Sequence, residues 1–206
     1  MKLSPETYAA VADRADCLVT EEAMEAALDR LALAITERLA GTDPVVLCVM
    51  TGGIIAAGLL LPRLNFQLRL SCVHVNRYHG TTRGGDLDWQ YRPAEAVRGE
   101  QVLILDDVLD EGLTLEAIAR ACREDGATAV HTAVLVEKER PHAYPAEFVG
   151  VTVPDRYLFG YGLDYKGYFR NVPGIFAVAE QDRIDGGNRG TAKNQCNEKQ
   201  SSKNAI

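Results

Sequence analysis

Two adjacent carboxylates, Asp106 and Asp107, stand at the end of an apolar run in the stretch VLILDDVLDEGLTL, residues 102–115. Acids at the carboxyl end of a buried strand lie where parallel sheets receive ligands. Paired carboxylates suit vicinal hydroxyls directly, or a hydrated Mg²⁺ that bridges a diol and a phosphate. The residues that follow, Asp110, Glu111, Gly112, Leu113 and Thr114, lead straight into a helical pattern. A glycine, a hydroxyl and a fresh helix N-terminus offer unpaired backbone N–H groups to a phosphate. A bare Asp-Asp pair is more often an acidic strand end before an ordinary helix, but the complete strand–acid–acid–loop–helix unit favours a ligand site. A second glycine-bearing turn, Met50-Thr51-Gly52-Gly53, follows another apolar run. Lys138, at the end of a third run, reads by itself as a solvated strand-end lysine.

Such residues need a rigid frame, and the chain supplies one. PVVLCVM (44–50), LRLSCVHV (68–75), QVLILDDV (101–108), AVHTAVLVEK (129–138) and FVGVTV (148–153) are short apolar, β-branched runs. Runs of this kind belong to strands covered on both faces. Leu28, Leu31, Ile35 and Leu39 recur at spacings of three and four, which predicts a helix capped by Thr20 and closed by Gly41. IIAAGLLLPRL predicts a second helix. Leu115, Ile118, Ala119 and Cys122 predict a third, which stops at Gly126. Strands alternating with helices imply right-handed crossovers and a mostly parallel α/β sheet flanked by helices. RYHGTTRGGDLDWQ, from Arg77, is polar and glycine-rich and is expected to be a long loop. Trp89, near its end, is expected to be a hinge or packing anchor rather than a ligand contact.

The chain has 206 residues, is 47% hydrophobic and 25% charged, and carries a formal net charge of −7. This composition suits one globular domain and excludes a disordered chain. No apolar run reaches the ~18 residues of a membrane span. MKLSPETYAA lacks the apolar centre of a secretory signal, so a cytoplasmic protein is expected. Five scattered cysteines, none in a C-x-x-C pair, are expected to be reduced thiols. His74, His79, His131 and His142 show no metal spacing, and His131 is expected to be structural. From Gln181 the chain loses its apolar pattern and carries five basic and three acidic residues. Residues 1–180 are therefore expected to form the domain and 181–206 a disordered tail. Without the tail, 17 basic residues face 26 acidic ones, a net charge of −9. Neither that charge nor the absence of a Lys/Arg stripe suits a nucleic-acid partner.

The motif at 102–115 resembles the ribose-phosphate loop of type I phosphoribosyltransferases. Three further segments are similar to the same family, in the expected order. Met50–Gly53 is similar to its pyrophosphate loop, and Arg77-Tyr78 with the glycines beyond resembles its flexible lid. LVEK and PDRYLFGYGLDYKGYFRN, residues 154–171, look like the purine pocket of the hypoxanthine-guanine members. The resemblance runs from about Val45 to Val178, and its aromatic block is the most discriminating part.

The resemblance implies the type I phosphoribosyltransferase fold with a small hood subdomain. It also implies a homodimer or homotetramer that binds phosphoribosyl pyrophosphate, Mg²⁺ and a purine base. Asp106 and Asp107 would hold the ribose hydroxyls, with metal, and Asp110 would be the general base near purine N7. Glu111, Gly112, Leu113 and Thr114 would wrap the 5-phosphate through their backbone. Thr51 and Gly52 would lie on the pyrophosphate side, with Arg170 as a clamp there. Lys138 would donate to the oxygen at C6, Tyr157 would stack on the base, and Leu158 would read its edge. Asp164 would border the base and engage a metal.

Three positions depart from the family pattern: Thr51 replaces a common lysine, Glu111 a usual threonine, and Leu113 a basic or small polar residue. A 6-oxopurine salvage enzyme is therefore expected. The alternatives are a xanthine- or pyrimidine-type relative, or a non-catalytic nucleotide-sensing regulator on the same scaffold. Asp110, Lys138 and Arg170 together favour the enzyme, because a pure binder has no need of a base.

Overall fold

The computed structural model describes residues 2–77 and 87–183. In chain order these form α1 (Pro5–Arg14), β1 (Asp16–Val19), α2 (Glu21–Leu39), β2 (Val45–Met50), α3 (Gly53–Leu60), β3 (Arg69–Arg77) and β4 (Leu87–Tyr91). There follow α4 (Ala94–Val97), β5 (Gln101–Leu109), α5 (Leu113–Glu124), β6 (Ala129–Glu139), β7 (Phe148–Pro154), β8 (Leu158–Phe159) and β9 (Ile175–Ala177). Short 3₁₀ turns span Leu61–Arg63 and Glu180–Asp182.

The main sheet has the order β4-β3-β2-β5-β6-β7, and every pairing is parallel except β3 with β4. Strand order runs one way from β2 to β3 and the other way from β5 to β7. The direction therefore reverses between β2 and β5, where an open α/β sheet leaves a crevice at its carboxyl edge. Met50 ends β2 and Asp106-Asp107 lie near the end of β5, so the topology places both glycine-bearing turns at that crevice.

The apolar faces of the helices cover both sides of the sheet. Met24, Leu28, Ile35 and Leu39 of α2 pack with Ala56 and Leu60 of α3 on one side. Leu115, Ile118, Ala119 and Cys122 of α5 pack on the other. Thr20 caps α2 as its sequence predicts, its hydroxyl accepting from the Ala23 N–H at 3.2 Å. His131 is buried in β6 and meets a Glu147 carboxylate oxygen at 2.6 Å, a structural contact.

A second, antiparallel sheet of order β1-β9-β8 forms the hood. Its interior is aromatic: Tyr8 stacks on Phe169 with ring centroids 4.0 Å apart, and Phe159 stacks on Phe176 at 5.5 Å. Val11 of α1 is buried in this cluster, so the N-terminal helix belongs to the hood.

Two boundaries differ from expectation. Residues 87–91 are not loop but the edge strand β4. Trp89 stands between Asp88 and Gln90, an alternation that suits an edge strand within an otherwise polar stretch. Trp89 is indeed a packing anchor, half-buried against the core with the Arg92 guanidinium over its ring at 5.4 Å. The domain also extends to Arg183. Arg14 donates two hydrogen bonds to Asp182, at 2.6 and 3.0 Å, and the Tyr165 hydroxyl donates to the Asp182 carbonyl at 2.8 Å. The rest of the tail, 184–206, lies outside the described residues, as does Tyr78 of the expected lid. Arg77, the other lid residue, closes β3.

Candidate active site

A cavity of about 430 Å³ opens at the crevice between β2 and β5. Its lining includes Thr51, Gly52, Asp106, Asp107, Asp110, Thr114, Lys138, Tyr157, Leu158, Asp164 and Arg170. Residues drawn from four separate segments of the sequence thus meet in one pocket. His74 and Asn76, from the carboxyl end of β3, line it too; nothing in their sequence context marks them beyond their place on a strand.

Asp107 is the buried acid of the pair, and its side chain fills the space beside Gly52. A Cβ at position 52 would lie 2.0 Å from Asp107 Oδ2, so only glycine lets the turn after β2 close against β5. Burial raises the Asp107 pKa, while hydrogen bonding with Asp106 and the Arg170 charge pull the other way. The Asp106 carboxylate accepts from the Asp107 backbone N–H at 2.9 Å.

The loop from Asp110 to Gly112 turns into α5 through Gly112, whose φ of +81° is left-handed. A Cβ there would also lie 2.7 Å from the Tyr144 carbonyl oxygen, so the segment joining β6 to β7 presses on this loop. The Ala143 N–H donates to the Glu111 carbonyl at 2.8 Å, fixing the loop from the same side. Thr114, in the first turn of α5, lines the cavity, whereas Leu113 is 49% exposed and faces away from the core.

Lys138, at the end of β6, is largely buried, with its ammonium 3.1 Å from Asp110 Oδ2 and 3.6 Å from Asp155 Oδ1. Arg140 reaches the same acids, at 2.8 Å to Asp110 Oδ1 and 3.4 Å to Asp155 Oδ2, and lies 3.5 Å from Glu111 Oε1. Sequence reasoning passed over Arg140 and Asp155. The available signal was the Lys138-Glu139-Arg140 spacing, since residues two apart at a strand end share a side.

The hood supplies the opposite wall. Tyr157 lines the cavity and keeps 36% of its surface exposed. Asp164 and Arg170 form an ion pair at 2.5 Å, and Asp164 also accepts from the Gly167 N–H at 2.6 Å. The Arg170 guanidinium donates in addition to the Gly162 carbonyl. These contacts hold Asp164 in the wall of the cavity that Asp106 and Asp107 also line. Among the described residues no three His, Cys, Asp or Glu side chains form a metal cage. Mg²⁺ needs no such cage; it commonly takes one or two carboxylates and completes its octahedron from substrate phosphates and water. Asp106 and Asp107 fit that mode.

The fold and this site define the class: the chain belongs to the phosphoribosyl transferase domain family, whose model matches residues 15–166. Within it, the chain is similar to proteins that handle purines. The hypoxanthine-guanine phosphoribosyltransferase of Streptococcus pneumoniae is 28% identical over 167 residues, covering 80% of this chain and 93% of that protein. The hypoxanthine-guanine-xanthine phosphoribosyltransferase of Tritrichomonas foetus is 28% identical over 166 residues, covering 79% and 91%. The crystal structure of a hypoxanthine phosphoribosyltransferase from Staphylococcus aureus superposes with a TM-score of 0.73 at 25% identity, covering 82% of this chain and 94% of that one. No described helix is long and apolar enough to cross a membrane.

Proposed function

We propose that this chain transfers the phosphoribosyl group of 5-phosphoribosyl 1-pyrophosphate to a 6-oxopurine, hypoxanthine or guanine, releasing pyrophosphate. One observation carries the reading: Asp110 and Lys138 sit 3.1 Å apart in the same cavity as Asp106, Asp107 and Thr114. A proton acceptor and a cationic donor thus meet beside a diol-and-phosphate site. That combination suits a base with an oxygen at C6 and a removable proton at N7.

In this reading Asp106 and Asp107 hold the ribose hydroxyls, and the backbone from Glu111 to Thr114 wraps the 5-phosphate at the α5 N-terminus. Tyr157 covers the base, Leu158 borders its edge, and Lys138 donates to the C6 oxygen. Asp110 accepts the proton from N7 as N9 attacks C1 of the sugar and the bond to pyrophosphate breaks. Thr51 and Gly52 line the pyrophosphate side. Arg170, held by Asp164, adds positive charge near Asp107. Mg²⁺ entering with the substrate supplies charge neutralisation for the leaving group. A cytoplasmic homodimer or homotetramer fits the resemblance, and light scattering of the purified protein tests the assembly.

The decisive experiment is turnover with phosphoribosyl pyrophosphate and Mg²⁺ against hypoxanthine, guanine, xanthine, adenine and uracil in parallel. Hypoxanthine or guanine should be the best substrate, and activity should vanish in excess chelator. A preference for adenine or uracil, or full turnover without metal, would sink the proposal.

A further inference from the structure

Among the described residues, the cavity lining carries four acids, Asp106, Asp107, Asp110 and Asp164, against two fixed cations, Lys138 and Arg170. Both cations are already engaged: Lys138 by Asp110 and Asp155, and Arg170 by Asp164 and the Gly162 carbonyl. A polyanion that enters this cavity meets repulsion that the two cations do not balance. Mg²⁺ offsets part of it, and hydrogen-bond donors on the side of the Thr51-Gly52 turn must supply the rest.

His74 is such a donor. It pairs in register with Met50, the last residue of β2, and so stands beside the Thr51-Gly52 turn. Val73 and Val75 are buried in the cluster under α5. Successive side chains of a strand point to opposite faces, so His74 between them takes the other face, which α3 and the hood cover. There it lines the cavity, half-buried. Its imidazole makes no hydrogen bond or ion pair with another described residue. By contrast, His131 meets Glu147 at 2.6 Å and His142 lies 3.7 Å from Glu137. An imidazole carries an N–H in either protonation state, so His74 holds a donor ready for an incoming anion.

We infer that His74 donates an imidazole N–H to the pyrophosphate of phosphoribosyl pyrophosphate and holds the leaving group against the turn after β2. This rests on the reading of the cavity as a phosphoribosyl pyrophosphate site and adds a residue to it. The contact strengthens as negative charge gathers on the departing pyrophosphate, so it serves bond breaking as well as binding.

Inorganic pyrophosphate with Mg²⁺, titrated calorimetrically into the full chain, isolates this contact. His74→Phe keeps a ring but no donor and should bind pyrophosphate about tenfold more weakly or worse, the scale of one hydrogen bond to a charged group. His74→Gln, whose amide can still donate, should lie between wild type and His74→Phe. Inosine 5′-monophosphate, the product of transfer to hypoxanthine, leaves the pyrophosphate end empty, so its affinity should be the same in all three proteins. In turnover, KM for phosphoribosyl pyrophosphate should rise and kcat fall in His74→Phe, while KM for hypoxanthine holds. Melting curves check folding, and His74→Ala takes the place of His74→Phe, with the same expectation, should the latter unfold. Wild-type affinity for pyrophosphate in the donorless variant, or an equal loss of pyrophosphate and nucleotide, overturns the inference and leaves the proposed turnover intact. If wild-type protein converts no purine yet binds pyrophosphate through His74, the purine reading fails and the role of His74 stands. Wild-type protein that binds no pyrophosphate refutes both.

Discussion

Lys138 Nζ lies 3.1 Å from Asp110 Oδ2, so a residue at the end of β6 and one just beyond β5 share an ion pair inside the cavity. The group proposed to accept a proton and the group proposed to recognise an oxygen are thus direct partners, and each holds the other in place.

Asp110→Asn should lower kcat by about 10²–10⁴-fold, the usual range for loss of a general base, with a smaller change in KM for phosphoribosyl pyrophosphate. Lys138→Gln should erode the preference for hypoxanthine and guanine over adenine, because an amide can donate or accept. Since the two residues touch, the double variant should be less impaired than the product of the single effects. Steady-state kinetics on three bases measures all of this; wild-type kcat in Asp110→Asn would remove the general-base role.

Gly52→Ala forces a Cβ to within 2.0 Å of Asp107 Oδ2, and Asp107 is too buried to swing away. The turn after β2 or the end of β5 must shift. A stability loss of about 1–3 kcal/mol is expected for such overpacking, together with loss of activity. Urea unfolding with an activity assay checks both, and a fully active, fully stable variant would show that the turn yields cheaply.

The parallel sheet and its site-bearing ends were legible in the sequence because each core strand is a self-contained apolar run. Val45–Met50 and Gln101–Leu109 announce themselves without reference to any partner. The hood did not. β8 has two residues and β9 three, and the sheet forms only because β9 pairs with β1, far away in sequence, as well as with β8. The acids of the cavity could be read as candidates from their place after strands. The Asp164–Arg170 ion pair and the contacts of Arg140 with Asp110 and Asp155 are tertiary facts that no local pattern carries.

Burial pushes the thiols of Cys48 and Cys122 up to about 11. In the unfolded chain a cysteine ionises near pH ~8.5. Between these values the native state keeps protons that the unfolded state has lost, so stability should fall as pH rises from about 8.5 towards 11. Among the described cysteines, Cys17 is exposed and should react first with a thiol reagent at about pH 8, while Cys48 and Cys122 react only on unfolding. Rapid native labelling of Cys48 or Cys122 would contradict this picture.

A chain ending at Arg183 should keep the melting temperature and turnover of the full sequence, since the composition beyond it offers no apolar face to dock. A chain ending at Gln181 should melt lower, because it lacks Asp182, the partner of both Arg14 and the Tyr165 hydroxyl. Paired melting curves of the two truncations decide the boundary; equal melting temperatures would show that the Asp182 contacts contribute nothing.

The hood joins the two ends of the described chain: Arg14 meets Asp182 across 168 positions, and the Leu3 N–H donates to the Tyr168 hydroxyl across 165. On a ribosome, where synthesis runs from the N-terminus, β1 emerges early and waits for β9, which is made after every strand of the main sheet. A nascent chain can therefore assemble the acids and the loop before α5 while the wall bearing Tyr157 and Asp164 is still being translated. Interrupted synthesis yields a protein with half a pocket and an unpaired β1 edge, a species suited to capture by chaperones and proteases rather than to catalysis.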